Sequence, residues 1–265
     1  MSDILFNDRP KLVGDIDLDL LSGLEPHREK WGVYTYNNIP VPRMTNILKE
    51  TIGKDYLISY ALKCKDYYYE TEQILYIGTV VHTMIDEFLI HGKVINTPDY
   101  INETVFSQTN KAYSNFVRWY NDKISNGYKI KPLFIEKEIV CPFFGGTIDC
   151  IMQITRPNGT VGNYIVDFKT SGKIAFDYLI QTYGYWWSVE WNNRNNPKSD
   201  FPNIDGIGII RVDKKRKSYN DIFFTRGEDD LYLNNINNGF THCLNWFYYQ
   251  KNLENIIKEK RGLEL

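Results

Sequence analysis

The chain has 265 residues, 43% hydrophobic and 24% charged, which excludes a disordered or fibrous protein and suffices for one large domain with a sizeable core. Its 31 basic and 33 acidic residues leave a formal net charge of −2, so any grip on nucleic acid must come from a local patch rather than from overall charge. An uninterrupted apolar run of membrane-spanning length and a signal-peptide pattern are both missing, which sets the expectation of a soluble, intracellular protein with no membrane partner.

In chain order, residues 1–30 read as a polar, irregular N-terminal arm, and 31–265 as a single domain. W-G-V-Y-T-Y-N-N-I-P-V-P (31–42) alternates around an Asn-Asn turn and predicts a small hairpin. Thr45 is placed to N-cap a short helix through Ile47 and Leu48 that stops at Gly53. Helices are expected over about 54–68, 70–91 and 99–126, making 44–126 a helical part. The second of these carries Gly78, His82, Ile85 and Leu89 along one stripe, with Val81 and Phe88 also to be buried. His82 therefore belongs at the edge of the buried face, either as a hydrogen-bonded core residue or as a metal ligand.

From about 130 to 225 the pattern turns to strands, the expected catalytic core. In K-P-L-F-I-E-K-E-I-V-C, strict alternation would put Glu136 and Glu138 on one face and Ile135, Lys137 and Ile139 on the other. Both glutamates are candidate site carboxylates. G-G-T-I-D-C-I and Y-I-V-D-F-K then each set one acid, Asp149 and Asp167, in a β-like run, and R-P-N-G-T between them predicts an antiparallel hairpin that brings the two acids together. Lys169 shares the face of Asp167 by the period of two. A helix over about 174–192 holds Gln181 and Tyr185 four apart, and D-G-I-G-I-I-R-V-D and S-Y-N-D-I-F-F-T form a second hairpin. Its turn carries Lys214, Lys215, Arg216 and Lys217, candidates for contact with DNA phosphates. A closing amphipathic helix is expected over 228–259.

Two aspartates on neighbouring strands, with His82, suit Mg²⁺ or Mn²⁺, hard ions that take carboxylate oxygens and keep open positions for phosphate. Cys64, Cys141, Cys150 and Cys243 lie far apart without a C-x-x-C pair, so neither a disulfide framework nor a zinc site is expected.

The ordered set G-T-V-V-H ending at His82, E-K-E at 136–138, G-T-I-D ending at Asp149, D-F-K-T-S from Asp167 and Q-T-Y-G-Y from Gln181 to Tyr185 resembles the PD-(D/E)XK nuclease superfamily, in its RecB-like exonuclease branch. I-P-V-P-R-M-T-N-I-L, an aromatic-rich helix and then G-T-V-V-H are similar to phage relatives of the mitochondrial genome maintenance exonuclease, which commonly show Pro-Ser-Val-Thr where Arg43 and Met44 interrupt the block here. The likeness covers about 31–225. It implies an α/β (α+β) fold, a central mixed β-sheet flanked by helices, with a restriction-endonuclease-like core and helical N-terminal additions. It implies metal at His82, Asp149 and Asp167 (one or two ions), Asp149, Asp167 and Lys169 as the catalytic set, and Gln181 and Tyr185 as substrate-positioning residues.

The implied activity is metal-dependent exonuclease action on DNA, single-stranded or with a free end, in replication, recombination or repair. A non-catalytic DNA-binding accessory protein on the same fold and an endonuclease variant are the alternatives. A single-stranded-DNA-binding, helicase or annealing protein is the expected partner, and host-cell cytoplasm the expected location for a phage protein. Some relatives close an iron–sulfur cluster with one upstream and three clustered C-terminal cysteines; with only Cys243 near this C-terminus, no iron–sulfur cluster is expected. Tyr67, Tyr68 and Tyr69 are candidate stacking residues for a guided strand.

Overall fold

The computed structural model describes residues 34–52, 66–96, 98 and 100–260. The expected arm (1–30), the helix over 54–68 up to residue 65 and the side chain of Tyr67 lie outside the described residues. The elements are β1 Tyr34–Tyr36, β2 Ile39–Val41, α1 Met44–Thr51, α2 Tyr67–His91, α3 Glu103–Ser125, β3 Lys129–Val140, β4 Gly145–Thr155, β5 Val161–Lys169, α4 Phe176–Asn195, β6 Gly206–Val212, β7 Tyr219–Thr225 and α5 Asp230–Lys260.

Strands β3 to β7 form one sheet in the order β3-β4-β5-β6-β7, antiparallel except for the parallel β5–β6 pair that α4 connects. The fold is thus a mixed central sheet flanked by helices. Every residue of β6, G-I-G-I-I-R-V, is buried, as its nearly continuous apolar run requires of a strand covered on both faces. Met44, Ile47, Ile151, Ile165, Trp187 and Phe240 form a core between one face and α1, α4 and α5. Ile77, Val81, Ile85, Phe116, Met152 and Phe168 form the other, under α2 and α3. By length and composition alone α2 could cross a membrane; here Ile77, Val81 and Ile85 seat it on the sheet.

Local chemistry sets the ends. The hairpin turn Asn37-Asn38 has φ of +50° and +66°, the paired left-handed residues that a two-residue turn demands and that asparagine tolerates. Asp66 caps α2 by accepting from the Tyr69 N–H at 3.0 Å, and Asn102 caps α3 by accepting from the Val105 N–H at 2.8 Å. Gly92, φ +73°, ends α2. Thr45 does not cap α1: Arg43 is the N-cap, without a side-chain bond, and Thr45 lies in the first turn.

The alternation expected of β3 also fails in the middle. Phe134 packs in the α4-side core and Ile135 in the α2-side core, yet Ile139 is again on the α4 side. Glu136, between them, has φ +48°, a left-handed conformation that turns the strand over and reverses its in–out order. Its partner strand follows: Cys150 packs on the α2 side and Ile148 on the α4 side.

Candidate active site

The β4–β5 ladder ends at Cys150–Val166, one pair short of Asp149 and Asp167, although β5 runs on to Lys169. The two strands part there, and the Phe168 N–H donates to Asp149 Oδ2 at 2.8 Å in place of a backbone carbonyl. On α2, His82 Nε2–H donates to the Phe168 carbonyl oxygen at 2.9 Å. The N–H and the carbonyl of one residue, Phe168, thus position both side chains, and its ring is locked below by an edge contact with Phe116. The other ring nitrogen, His82 Nδ1, lies 3.6 Å from Asp149 Oδ2.

Glu136 completes the group. It stands opposite Asp149 between the pairs Ile135–Cys150 and Lys137–Ile148. Donor atoms of His82, Glu136 and Asp149 lie within 4.8 Å of one another. They line an open cleft of about 430 Å³ with Gly78, Thr79, Thr83 and Asp86. Both candidate glutamates are exposed, but only Glu136 lines this cleft; Glu138 pairs with Thr147 instead.

Asp86 was not legible as a site residue, although it follows His82 by four and so shares its helix face. Its Oδ1 is buried without a hydrogen-bond partner. Burial first, then the Glu136 and Asp149 charges, push its carboxyl up to about 7, with His82 acting against them. Glu136 is raised as well, by burial and then by Asp149. Carboxylates gathered at one place, one with an oxygen left unpaired, form an oxygen-rich site for a hard divalent cation. The residues present therefore fit Mg²⁺ or Mn²⁺, with His82, Glu136 and Asp149 as the assembled donors and Asp86 and Asp167 alongside.

Asp167 is 3% exposed, and Lys169 Nζ lies 2.7 Å from its carboxylate. Burial raises Asp167, opposed by the Lys169 ammonium and reinforced by Asp149. Burial alone would favour a neutral Lys169, but Asp167 and Asp149 outweigh it and hold the ammonium charged, above the ordinary lysine value. Its Nζ also sits 5.0 Å from the centre of the Tyr178 ring.

From α4, Gln181 Nε2 donates to the Tyr185 hydroxyl at 3.1 Å. Tyr185 is buried against β4, where a Cβ on Gly146 would fall 2.4 Å from Tyr185 Cε1, so only glycine admits the ring. Burial raises the Tyr185 phenol, with Gln181 opposing and Asp167 and Asp149 adding to the shift. The Gly-x-x-Asp and Gln-x-x-x-Tyr blocks are thus in physical contact. The N-terminal hairpin reaches the same place: Gly145 N–H donates to the Pro42 carbonyl oxygen at 2.9 Å, and the Tyr34 and Thr147 hydroxyls bond at 2.9 Å.

The cations Lys214 to Lys217 are not among the residues lining the cleft. They form the β6–β7 turn, which lies against α3. Tyr68 and Tyr69 are exposed at the start of α2.

Protein-family models and curated proteins give no match to this chain. Among solved structures, a phage-related exonuclease from Haemophilus somnus 129PT aligns over 81% of this chain and 95% of its own at 16% identity, with a TM-score of 0.32. The protein SSO0001 aligns over 72% and 82% at 13% identity, with a TM-score of 0.22. Neither superposition is close enough to assign an activity.

Proposed function

We propose that the chain is a metal-dependent deoxyribonuclease, an exonuclease that hydrolyses phosphodiester bonds of DNA from a free end. The observation that carries this reading is the break between β4 and β5, where His82, Glu136 and Asp149 converge within 4.8 Å beside the Asp167–Lys169 ion pair. The order of the five sequence blocks supports the same reading and its exonuclease form.

When bound, Mg²⁺ or Mn²⁺ supplies Lewis acidity toward a phosphoryl oxygen and lowers the pKa of water. The chain's own residues do the positioning. Phe168 fixes His82 through its carbonyl and Asp149 through its N–H, so the donor set is preorganised. Lys169, held charged by Asp167, presents an ammonium to the negative charge that grows on the phosphate as the water oxygen joins phosphorus and the bond to the leaving sugar oxygen breaks. Gln181 and Tyr185, bonded to each other, present an amide to the strand backbone from α4.

The test is a single-stranded DNA oligonucleotide labelled at one end, beside a closed single-stranded circle, each with Mg²⁺, Mn²⁺ or EDTA. Metal-dependent loss of the linear strand alone, absent in Lys169→Ala, is the expected result. Cutting of the circle would replace the exonuclease with an endonuclease. Binding without cleavage under either metal would leave a DNA-binding accessory protein.

A further inference from the structure

The turn between β6 and β7 lies at the sheet end where β5 finishes in Lys169, because β5 and β6 are parallel and Lys169 pairs with Arg211. Buried Arg211 bridges the two: its Nη1 donates to the Ser171 and Gly172 carbonyls at 3.1 and 3.3 Å and to Asp213 Oδ2 at 3.2 Å. The turn itself is fixed. Asp213 Oδ1 accepts from the N–H groups of Lys215 and Arg216. Buried Asn115 of α3 donates to the carbonyls of Asp213 at 2.7 Å and Arg216 at 2.8 Å.

Helix α3 brings cations of its own to this turn. Lys111 Nζ reaches the Lys215 carbonyl at 3.3 Å, and Arg118, two turns further along the same face, donates to Asn115 Oδ1 at 2.7 Å and lies over the Tyr219 ring. Two adjoining hollows of about 410 and 590 Å³ flank Lys111, one closed by Lys214 and Lys215 and the other by Arg118 and Lys217. Among the described residues none of these cations makes an ion pair, and Glu103 is the one acid that lines both hollows. Burial, and then the Lys215 charge, lower the Lys214 ammonium, with Asp213 acting against them, and an anion between Lys214 and Lys215 would relieve their repulsion. Phe106, 51% exposed and edge-on to Tyr100, offers an aromatic face in the second hollow.

We infer that this surface, made by α3 and the β6–β7 turn, grips the phosphates of single-stranded DNA outside the cleft, with Phe106 taking a stacked base. The inference rests on the nuclease reading for its choice of ligand. Fixed cations with an adjacent aromatic make a sequence-tolerant strand grip. Held beyond Lys169 by Arg211, the grip affects how long a strand stays, not how fast it is cut.

The experiment measures anisotropy of a labelled single-stranded oligonucleotide against NaCl concentration, in EDTA, with Lys111→Ala/Arg118→Ala, Lys215→Ala/Lys217→Ala and a control pair, Lys129→Ala/Lys131→Ala, at the far end of β3. Each patch variant should flatten the slope of log affinity against log salt by about 1.4, as two phosphate contacts at ~0.7 each require. The control should match wild type. In Mn²⁺ the single-turnover rate at saturating strand should stay within about twofold, while the strand concentration for half-maximal rate rises about tenfold, the cost of two lost charge contacts. If wild type cuts the strand and the patch variants bind like the control, this surface is overturned and the nuclease reading stands. If wild type neither binds nor cuts, both fall.

Discussion

Glu136 combines two costs at one position. A left-handed φ of +48° on a residue with a Cβ costs about 1–2 kcal/mol, and its carboxyl is raised by burial and then by the Asp149 charge. Glycine has no penalty there. Glu136→Gly is therefore expected to match or exceed wild type in urea unfolding with EDTA, whereas Glu138→Gly in regular strand should lose about 0.5–1 kcal/mol. In metal-dependent cleavage the order reverses, with Glu136→Gly losing at least tenfold and Glu138→Gly little. Equal stabilities would show that the conformation at 136 carries no strain. Asp86 gives a second residue-scale expectation. Its folded carboxyl is raised from 3.8 to about 7, so the folded chain keeps the proton longer than the unfolded one. That contribution to stability is complete below the ordinary value and is lost as pH rises through about 7. Without metal, Tm should fall between pH 5 and pH 8, and Asp86→Asn should flatten part of the decline; Glu136 and Asp167, raised in the same direction, supply the rest. An unchanged slope in the variant would count against a buried, unsatisfied Asp86.

At the scale of elements, the site depends on a contact between β4 and α4 that neither element reveals alone. Gly146 admits the Tyr185 ring, and a methyl group there would sit 2.4 Å from Cε1 and 2.7 Å from the hydroxyl. Both atoms belong to a ring that is 4% exposed, so it has little room to yield. Gly146→Ala should destabilise the protein by about 1–3 kcal/mol, the usual cost of overpacking. It should also break the Gln181 bond and lower the cleavage rate further than Gln181→Ala alone. A melting temperature equal to wild type would mean that α4 shifts freely against the sheet.

Over the whole molecule, two apolar cores share one sheet. Phe240 fills the α4 side and Phe116 the α2 side, both fully buried. Each Phe→Ala change should cost about 3–5 kcal/mol. Because β4, β5 and β6 contribute to both cores, the two variants should still unfold in one transition, whether followed by tyrosine or tryptophan fluorescence. Separate transitions would split the sheet's two faces into independent units. Most of this architecture was legible in the sequence. The Asn-Asn turn, R-P-N-G-T, the unbroken apolar run of β6 and the helical stripe around His82 are local patterns, and local patterns fixed the elements. What escaped was non-local or singular. The parting of β4 from β5 depends on a ladder that stops one pair early, and the face reversal at Glu136 on one unusual dihedral angle that no residue type announces. Asp86 was hidden by an ordinary expectation, since an acid on a helix is most often solvated.

The hold of Asp149 on the Phe168 N–H has a spectroscopic consequence. An amide hydrogen bonded to a carboxylate resonates at a frequency set by the charge on that carboxylate, and the same oxygen, Oδ2, is the one nearest His82. Any cation that draws electron density from Asp149 must be felt by this proton. With ¹⁵N-labelled protein and no DNA, titration of Mg²⁺ should move the Phe168 amide signal more than that of Ile165 at the centre of the same strand. The resonance would then read occupancy of the site before any bond is cut, and would do so equally well in the Lys169→Ala protein.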